Sequence, residues 1–91
     1  MKFGRRDTNH QETGKAFRSA GWFAFDCADL GGGFPDWLVC SPAGRVVLVE
    51  VKSPGGVLTD AEAEFSQEYP GEYVTVFRLE DVVRITEERG K

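Results

Sequence analysis

Apolar residues recur along the chain with two periods, one typical of helices and one typical of strands, and together they predict seven elements. The predicted strands cover residues 22–26, 36–40, 46–52 and 72–77. The predicted helices run from residue 7 or 8 to about 20, from 59 or 60 to about 69, and from 79 to about 84. Side chains are predicted to face inward at Ala16, Phe17, Ala20, Ala61 and Phe65. Trp22 and Trp37 are predicted to lie in the core or at a subunit contact, and His10 is predicted to face solvent.

The connection between the second and third predicted strands is typical of a tight β-hairpin. Pro42 suits the first central position of a type I turn, and Gly44 suits the left-handed position that follows it. This combination predicts a three-residue hairpin loop closed by a glycine bulge. Such a loop pairs Ser41 with Arg45, which sets the register of the whole hairpin.

The hairpin register predicts that two carboxylates and one lysine converge. Asp36 falls opposite Glu50, and directly opposed residues of an antiparallel pair point to the same face. Lys52 shares that face because it lies two residues beyond Glu50 in an otherwise apolar strand. Charges at the end of a buried strand are costly unless they are paired or hold a metal ion. The set is the minimum needed for metal-assisted phosphodiester hydrolysis, although a structural ion-pair cluster would contain the same residues.

The order of the elements predicts a single α/β (α+β) domain over residues 1–91, with a four-stranded mixed sheet flanked by helices. The strand, helix and strand that follow the hairpin predict a parallel pair joined by a right-handed crossover. The third strand is apolar on both faces, and the face with Trp37, Val47 and Val49 has no obvious cover. This predicts a homodimer, unless the last helix, around Val82 and Val83, covers that face instead.

Charge and hydropathy narrow the classes of partner. The net charge of −4 argues against indiscriminate nucleic-acid binding. The charges are unevenly spread, since residues 1–20 hold five basic and two acidic residues, whereas residues 60–91 hold nine acidic and four basic ones. The basic end is a candidate phosphate-binding surface, and an ordinary solvated surface is the alternative. No apolar run approaches the length of a membrane span and no signal-peptide core is found, so we expect a cytoplasmic protein without a membrane partner.

Three motifs resemble the VRR-NUC branch of the PD-(D/E)xK nuclease superfamily. They are Arg5-Arg6-Asp7-x-Asn9-x-x-Glu12, Gly31-x-Gly33-Phe34-Pro35-Asp36, and Glu50-Val51-Lys52 followed by Leu58-Thr59. The resemblance spans residues 5 to 84 and is greatest to small stand-alone forms from phage genomes. It implies a restriction-endonuclease-like core of αβββαβ order. It also implies a Mg²⁺- or Mn²⁺-dependent DNA endonuclease that is cytoplasmic, in the host cell if the protein is phage-encoded, with branched DNA such as a four-way junction as the leading substrate.

The resemblance implies a role for each residue of the last two motifs. Asp36 and Glu50 correspond to the metal ligands, together with the main-chain carbonyl of Val51. Lys52 corresponds to the lysine that assists the attacking water.

Two further acids and several basic or glycine residues complete the candidate site. Glu12 resembles the acid that such nucleases often have on their first helix, and Glu62 stands where family members commonly have Gln. Either residue is alternatively an exposed helix acid. The glycine-rich loop allows close approach to a phosphate, or is simply a loop. The candidate DNA contacts are Arg5, Arg6, Lys15, Gly32 and Gly33.

Two other functions are consistent with the same residues. The first is a catalytically inactive DNA-binding module of the same fold, with Glu62 as the reason for the lost activity. The second is a structural or inhibitory protein whose acidic face binds another protein. Metal-dependent cleavage of DNA distinguishes the enzyme from the first alternative, and salt-sensitive DNA binding distinguishes it from the second.

Overall fold

The structure, a computed structural model, describes residues 8–90. Its elements in chain order are α1 (Thr8–Ser19), β1 (Phe23–Asp26), β2 (Trp37–Cys40), β3 (Val46–Val51), α2 (Asp60–Glu68), β4 (Glu72–Val76) and α3 (Leu79–Arg89). All seven predicted elements are present. Among these residues, no helix has the length and apolar character needed to span a membrane.

The four strands form one mixed sheet in the order β1-β2-β3-β4. The first three strands pair antiparallel, and β4 pairs parallel to β3 after the α2 connection. This confirms the predicted four-stranded mixed sheet. The interior position of β3 suits its run of β-branched residues, because a central strand packs against neighbours on both faces.

The predicted hairpin between β2 and β3 is confirmed. The Ser41 N–H donates to the Arg45 carbonyl at 2.8 Å. Gly44 has a φ of 93°, the left-handed conformation that its position in the turn requires. Further along the ladder Trp37 pairs with Val49, which is the register that the turn chemistry predicts.

One face of the sheet is covered by α1 and α3. The core on this face consists mainly of Phe17, Trp37, Val39, Val47, Val49, Val76, Val82 and Ile85. The expectation that this face lacks cover is therefore wrong. The last helix, α3, covers it, which was the alternative to a homodimer. Val83 takes no part, since it is exposed.

The last helix is longer than predicted because its later turns have tertiary contacts. Ile85 is buried in the core, and Arg89 Nη1 lies 3.0 Å from Glu72 Oε1 at the start of β4. The other oxygen of Glu72 accepts a hydrogen bond from Arg45 Nε at 2.6 Å. Glu72 thus links the hairpin loop, β4 and the end of α3, and α3 continues to Arg89 instead of ending near residue 84.

The opposite face of the sheet, which we call the α2 face, is only partly covered. Above β4, Phe65 of α2 lies 6.2 Å from the Tyr73 ring. Above β1 and at the start of β3, Phe23, Phe25 and Val46 remain exposed, the two phenylalanines at 60% and 59%. The uncovered apolar surface is therefore on this face and not on the one predicted from the sequence.

Several side chains differ from their predicted placement. His10 is buried, stacks on Trp37 at 4.8 Å, and has Nε2 3.1 Å from Asp26 Oδ2. Ala20 and Ala61 are exposed, because Ala20 lies in the turn after α1 and α2 is rotated so that the residue after Ala61 faces the sheet. The expected core positions of Trp22 and Trp37 are confirmed.

Candidate functional site

The candidate site lies on the α2 face, where β2 begins and β3 ends. One step beyond the Trp37–Val49 pair, the register puts Asp36 opposite Glu50. Both carboxylates are buried, with exposures of 5% and 1%. Asp36 Oδ2 accepts a hydrogen bond from the Val51 N–H at 2.8 Å, which holds this carboxylate against β3.

Lys52 directs its ammonium group to the same place. Its Nζ lies 2.7 Å from Glu62 Oε1 and 4.0 Å from Glu50 Oε2. Its main chain is held on two sides, because its N–H donates to the Val76 carbonyl at 2.9 Å and its carbonyl accepts from Asn9 Nδ2 at 3.3 Å. The predicted trio of Asp36, Glu50 and Lys52 is therefore brought together, and Glu62 joins it.

Glu62 reaches the site from the first turn of α2 through a capping box. The Glu62 N–H donates to Thr59 Oγ1 at 3.2 Å, and the Thr59 N–H donates to Glu62 Oε1 at 2.8 Å. The same Oε1 pairs with Lys52, so one oxygen serves both the helix cap and the lysine. Glu62 is buried, and its interpretation as an exposed helix acid is wrong.

The electrostatics of the site are dominated by excess negative charge. Burial raises the pKa of the Glu50 carboxyl well above its usual range, and the Asp36 and Glu62 carboxyls beside it raise it further. Burial also acts to raise the pKa of Glu62, but hydrogen bonds from Lys52 and the Thr59 N–H outweigh it and lower that pKa. Three carboxyls thus face one ammonium group, an excess of two formal negative charges when all are ionised.

The donor set fits a hard divalent cation. Among residues 8–90, Glu50 Oε1 is buried without a hydrogen-bond partner, and such an oxygen is costly unless a ligand satisfies it. Asp36, Glu50 and the main-chain carbonyl of Val51 offer only oxygen donors, which Mg²⁺ and Mn²⁺ prefer. In the described part of the chain, no group of three or more His, Cys, Asp or Glu side chains could hold a metal ion together. A cation here would therefore use two carboxylates, with the remaining ligands from the main chain and from water.

Tyr73 is a polar residue of this site that the sequence analysis missed. Its hydroxyl is buried and has no hydrogen-bond partner within the described residues. Burial raises the pKa of Tyr73, and Glu50, Glu62 and Asp36 raise it further, so the hydroxyl remains a hydrogen-bond donor. No local sequence signal marked it, because its place diagonal to Glu50 depends on the register between β3 and β4.

The remaining predicted residues do not reach the carboxylates. Glu12 and Lys15 are exposed on α1, and within residues 8–90 no hydrogen bond or ion pair joins Glu12 to the site. Arg5 and Arg6 lie outside the described residues.

The glycine-rich loop packs against α2 at one of its two candidate positions. A Cβ on Gly33 would clash with the main-chain carbonyl of Ala61, whereas a Cβ on Gly32 would meet no atom within 4 Å. Both glycines have positive φ, 82° and 65° respectively. Gly33 is therefore required for packing against α2, and Gly32 is exposed and free to approach a ligand.

Comparison of this chain with family models, curated proteins and solved structures found no match. Any assignment of function therefore depends on the site, in which two buried carboxylates, a lysine and an acid on α2 meet at the end of β3.

Proposed function

We propose that this protein is a Mg²⁺- or Mn²⁺-dependent DNA endonuclease of the PD-(D/E)xK type with a restriction-endonuclease-like core. The main support is the convergence of Asp36, Glu50 and Lys52 at one end of the β2–β3 pair, in a buried place with excess negative charge. When all three carboxyls are ionised, the two excess negative charges match the charge of one divalent cation. The element order and the sheet support the proposed αβββαβ core. A helix, α1, precedes three antiparallel strands, and α2 then leads to β4, which pairs parallel to β3.

The proposed roles follow from the contacts of each residue. Asp36 and Glu50 would bind the cation together with the carbonyl of Val51, and the Val51 N–H keeps the Asp36 carboxylate oriented. The cation, when bound, supplies a polarised phosphate and a water of lowered pKa. Lys52 stabilises negative charge that develops on the phosphate, because its ammonium lies at the edge of the carboxylate pair. Glu62 orients Lys52 through their 2.7 Å contact.

The proposed substrate is branched DNA, with a four-way junction as the leading candidate. A single domain of this size has little surface for reading a base sequence, so recognition of DNA shape is the better fit. Arg5, Arg6, Lys15 and Gly32 remain the proposed backbone contacts, of which Lys15 and Gly32 are exposed.

The test is cleavage of labelled junction, flap and linear duplex DNA in Mg²⁺ or Mn²⁺. Asp36→Ala and Glu50→Ala should abolish cleavage while DNA binding persists, because each removes a metal ligand and a negative charge. Lys52→Ala should lower the cleavage rate by roughly 10²–10³-fold and leave cation binding largely intact. Glu64→Gln, at an exposed acid of α2, is the control and should cleave like the wild type. Cleavage by Asp36→Ala at the wild-type rate would refute the assignment.

A catalytically inactive DNA-binding module is the second candidate. One observation favours it, namely that Lys52 lies closer to Glu62 than to Glu50 and has an anionic partner already. This candidate predicts salt-sensitive binding of junction DNA by the wild type with no cleavage in either metal. Metal-dependent nicking of the junction excludes it.

We also propose that the protein is a homodimer, now through the α2 face. Phe23, Phe25 and Val46 form exposed apolar surface there, and a two-fold dimer would place two sites on two DNA strands. Phe25→Lys should shift the mass measured by light scattering from dimer to monomer. Val83→Lys, at an exposed apolar position on α3, is the matched control and should remain dimeric. A monomer mass for the wild type at micromolar concentration would refute the dimer.

A further inference from the structure

Tyr73 is a half-buried residue with a buried hydroxyl, to which the proposed reaction assigns no role. Its ring is held by packing, since it lies 6.2 Å from Phe65, which itself stacks on Tyr69 at 5.7 Å and meets Phe34 edge-on at 5.2 Å. Its hydroxyl nevertheless has no hydrogen-bond partner among the described residues. A buried hydroxyl without a partner destabilises the folded state, so a residue that needed only the ring would be better served by phenylalanine.

The strand register brings the Tyr73 hydroxyl and Glu50 to the same side of the sheet. β4 pairs parallel to β3, with Tyr73 beside Leu48 and Thr75 beside Glu50. Positions two apart in a strand share a face, so Tyr73 and Glu50 are diagonal neighbours on the α2 face. Long side chains at diagonal positions can approach each other, directly or through one water.

The two groups are chemically complementary. Glu50 Oε1 is a buried acceptor without a hydrogen-bond partner in the described part of the chain. The Tyr73 hydroxyl is a buried donor that likewise has no hydrogen-bond partner there. We infer that Tyr73 is a positioning residue, whose hydroxyl donates to a bridging water that in turn donates to Glu50 Oε1 and thereby holds this carboxylate for cation binding. The inference rests on the proposed function, because it assigns Glu50 as a ligand. Outer partners of this kind orient the ligand and tune its affinity.

The test is calorimetric titration of the full chain with Mn²⁺ alone, together with thermal unfolding. Tyr73→Phe keeps the ring and removes only the hydroxyl. It should weaken Mn²⁺ binding by about 10-fold while the unfolding temperature stays the same or rises. Tyr69→Phe is the matched control, because it removes a phenol hydroxyl from the same aromatic cluster. It should leave the Kd for Mn²⁺ within about 2-fold of wild type, since only Tyr73 is assigned to Glu50.

The outcomes distinguish a wrong role for Tyr73 from a wrong proposed function. If the wild type binds Mn²⁺ and Tyr73→Phe binds it equally well, the role of Tyr73 is wrong and the proposed function stands. The inference is also wrong if Tyr69→Phe weakens binding as much, or if Tyr73→Phe lowers the unfolding temperature sharply, which would mean that the hydroxyl has a structural partner. If the wild type binds no Mn²⁺ at all, the proposed function and the inference fail together.

Discussion

Glu62 joins the start of α2 to Lys52, and two substitutions separate these contributions. Glu62→Gln keeps an oxygen that accepts from the Thr59 N–H and from Lys52, so both hydrogen bonds can persist without the charge. Glu62→Ala removes both bonds and leaves the ammonium of Lys52 with a carboxylate 4.0 Å away as its nearest partner in the described residues. We expect the two variants to differ clearly in stability.

The contacts of Glu62 allow rough magnitudes. A hydrogen bond to a charged group contributes about 1.5–3 kcal/mol, and since Lys52 stays charged in Glu62→Gln, its bond to the amide oxygen weakens by no more than about 1 kcal/mol. Removing the repulsion with the Glu50 carboxyl offsets part of that loss. Glu62→Ala loses the half of the capping box that its side chain forms, about 0.5–1.5 kcal/mol, and also the bond to Lys52, whereas the Thr59 hydroxyl still accepts from the main-chain N–H of residue 62. Since the Lys52 side chain is 19% exposed, we discount the second contribution for solvent and expect a total of about 2–4 kcal/mol.

These energies translate into a measurable difference in melting temperature. In a domain of this size, 1 kcal/mol shifts the melting temperature by roughly 4–8 °C. Glu62→Ala should therefore melt roughly 8–30 °C below the wild type, and Glu62→Gln less than roughly 8 °C below it. The assay is thermal unfolding followed by circular dichroism at pH 7, with Glu64→Ala as the exposed control on the same helix. Equal melting temperatures for the Ala and Gln variants would refute the reasoning.

The same Gln variant has an expected effect on activity. Removing the negative charge frees Lys52 from its anionic partner and leaves its hydrogen bond, so cleavage should rise or extend to a second metal. The measurement is the single-turnover rate on junction DNA in Mg²⁺ and in Mn²⁺. A rate that equals the wild type in both metals would show that the charge of Glu62 does not act on Lys52 during the reaction.

Two further predictions concern the fold. Gly33→Ala should lower the melting temperature more than Gly32→Ala. Both residues have positive φ, but only a Cβ at position 33 clashes with the carbonyl of Ala61. Equal shifts in melting temperature would show that the close approach of Gly33 to α2 is unimportant. Asp81 accepts hydrogen bonds from two main-chain N–H groups at the start of α3, and although burial acts to raise its pKa, these bonds lower it. The contribution of Asp81 to stability is therefore present above the unfolded pKa of about 4 and is lost as the pH falls from there through the lower pKa of the folded state. Asp81→Asn should accordingly show a smaller drop in melting temperature between pH 7 and pH 3 than the wild type.

The register of the hairpin was predictable because turn chemistry is local. Pro42 and Gly44 select one loop type, the loop type sets the pairing, and the pairing places Asp36 opposite Glu50. The start of α2 was predictable for the same reason, since Thr59 and the acid three residues later form a capping box within one turn. In both cases the interacting residues are close in sequence.

The sequence by itself determined the elements, the mixed sheet and the meeting of Asp36, Glu50 and Lys52, because local periodicity and one turn suffice for them. Only the tertiary structure decided which face of the sheet is covered, how far α3 continues, and that the Glu62 side chain and the Tyr73 hydroxyl are buried on the α2 face. These features depend on contacts between elements far apart in the chain. Rotating α2 by one residue would have buried Ala61 in place of Glu62, and the apolar pattern of so short a helix does not distinguish the two.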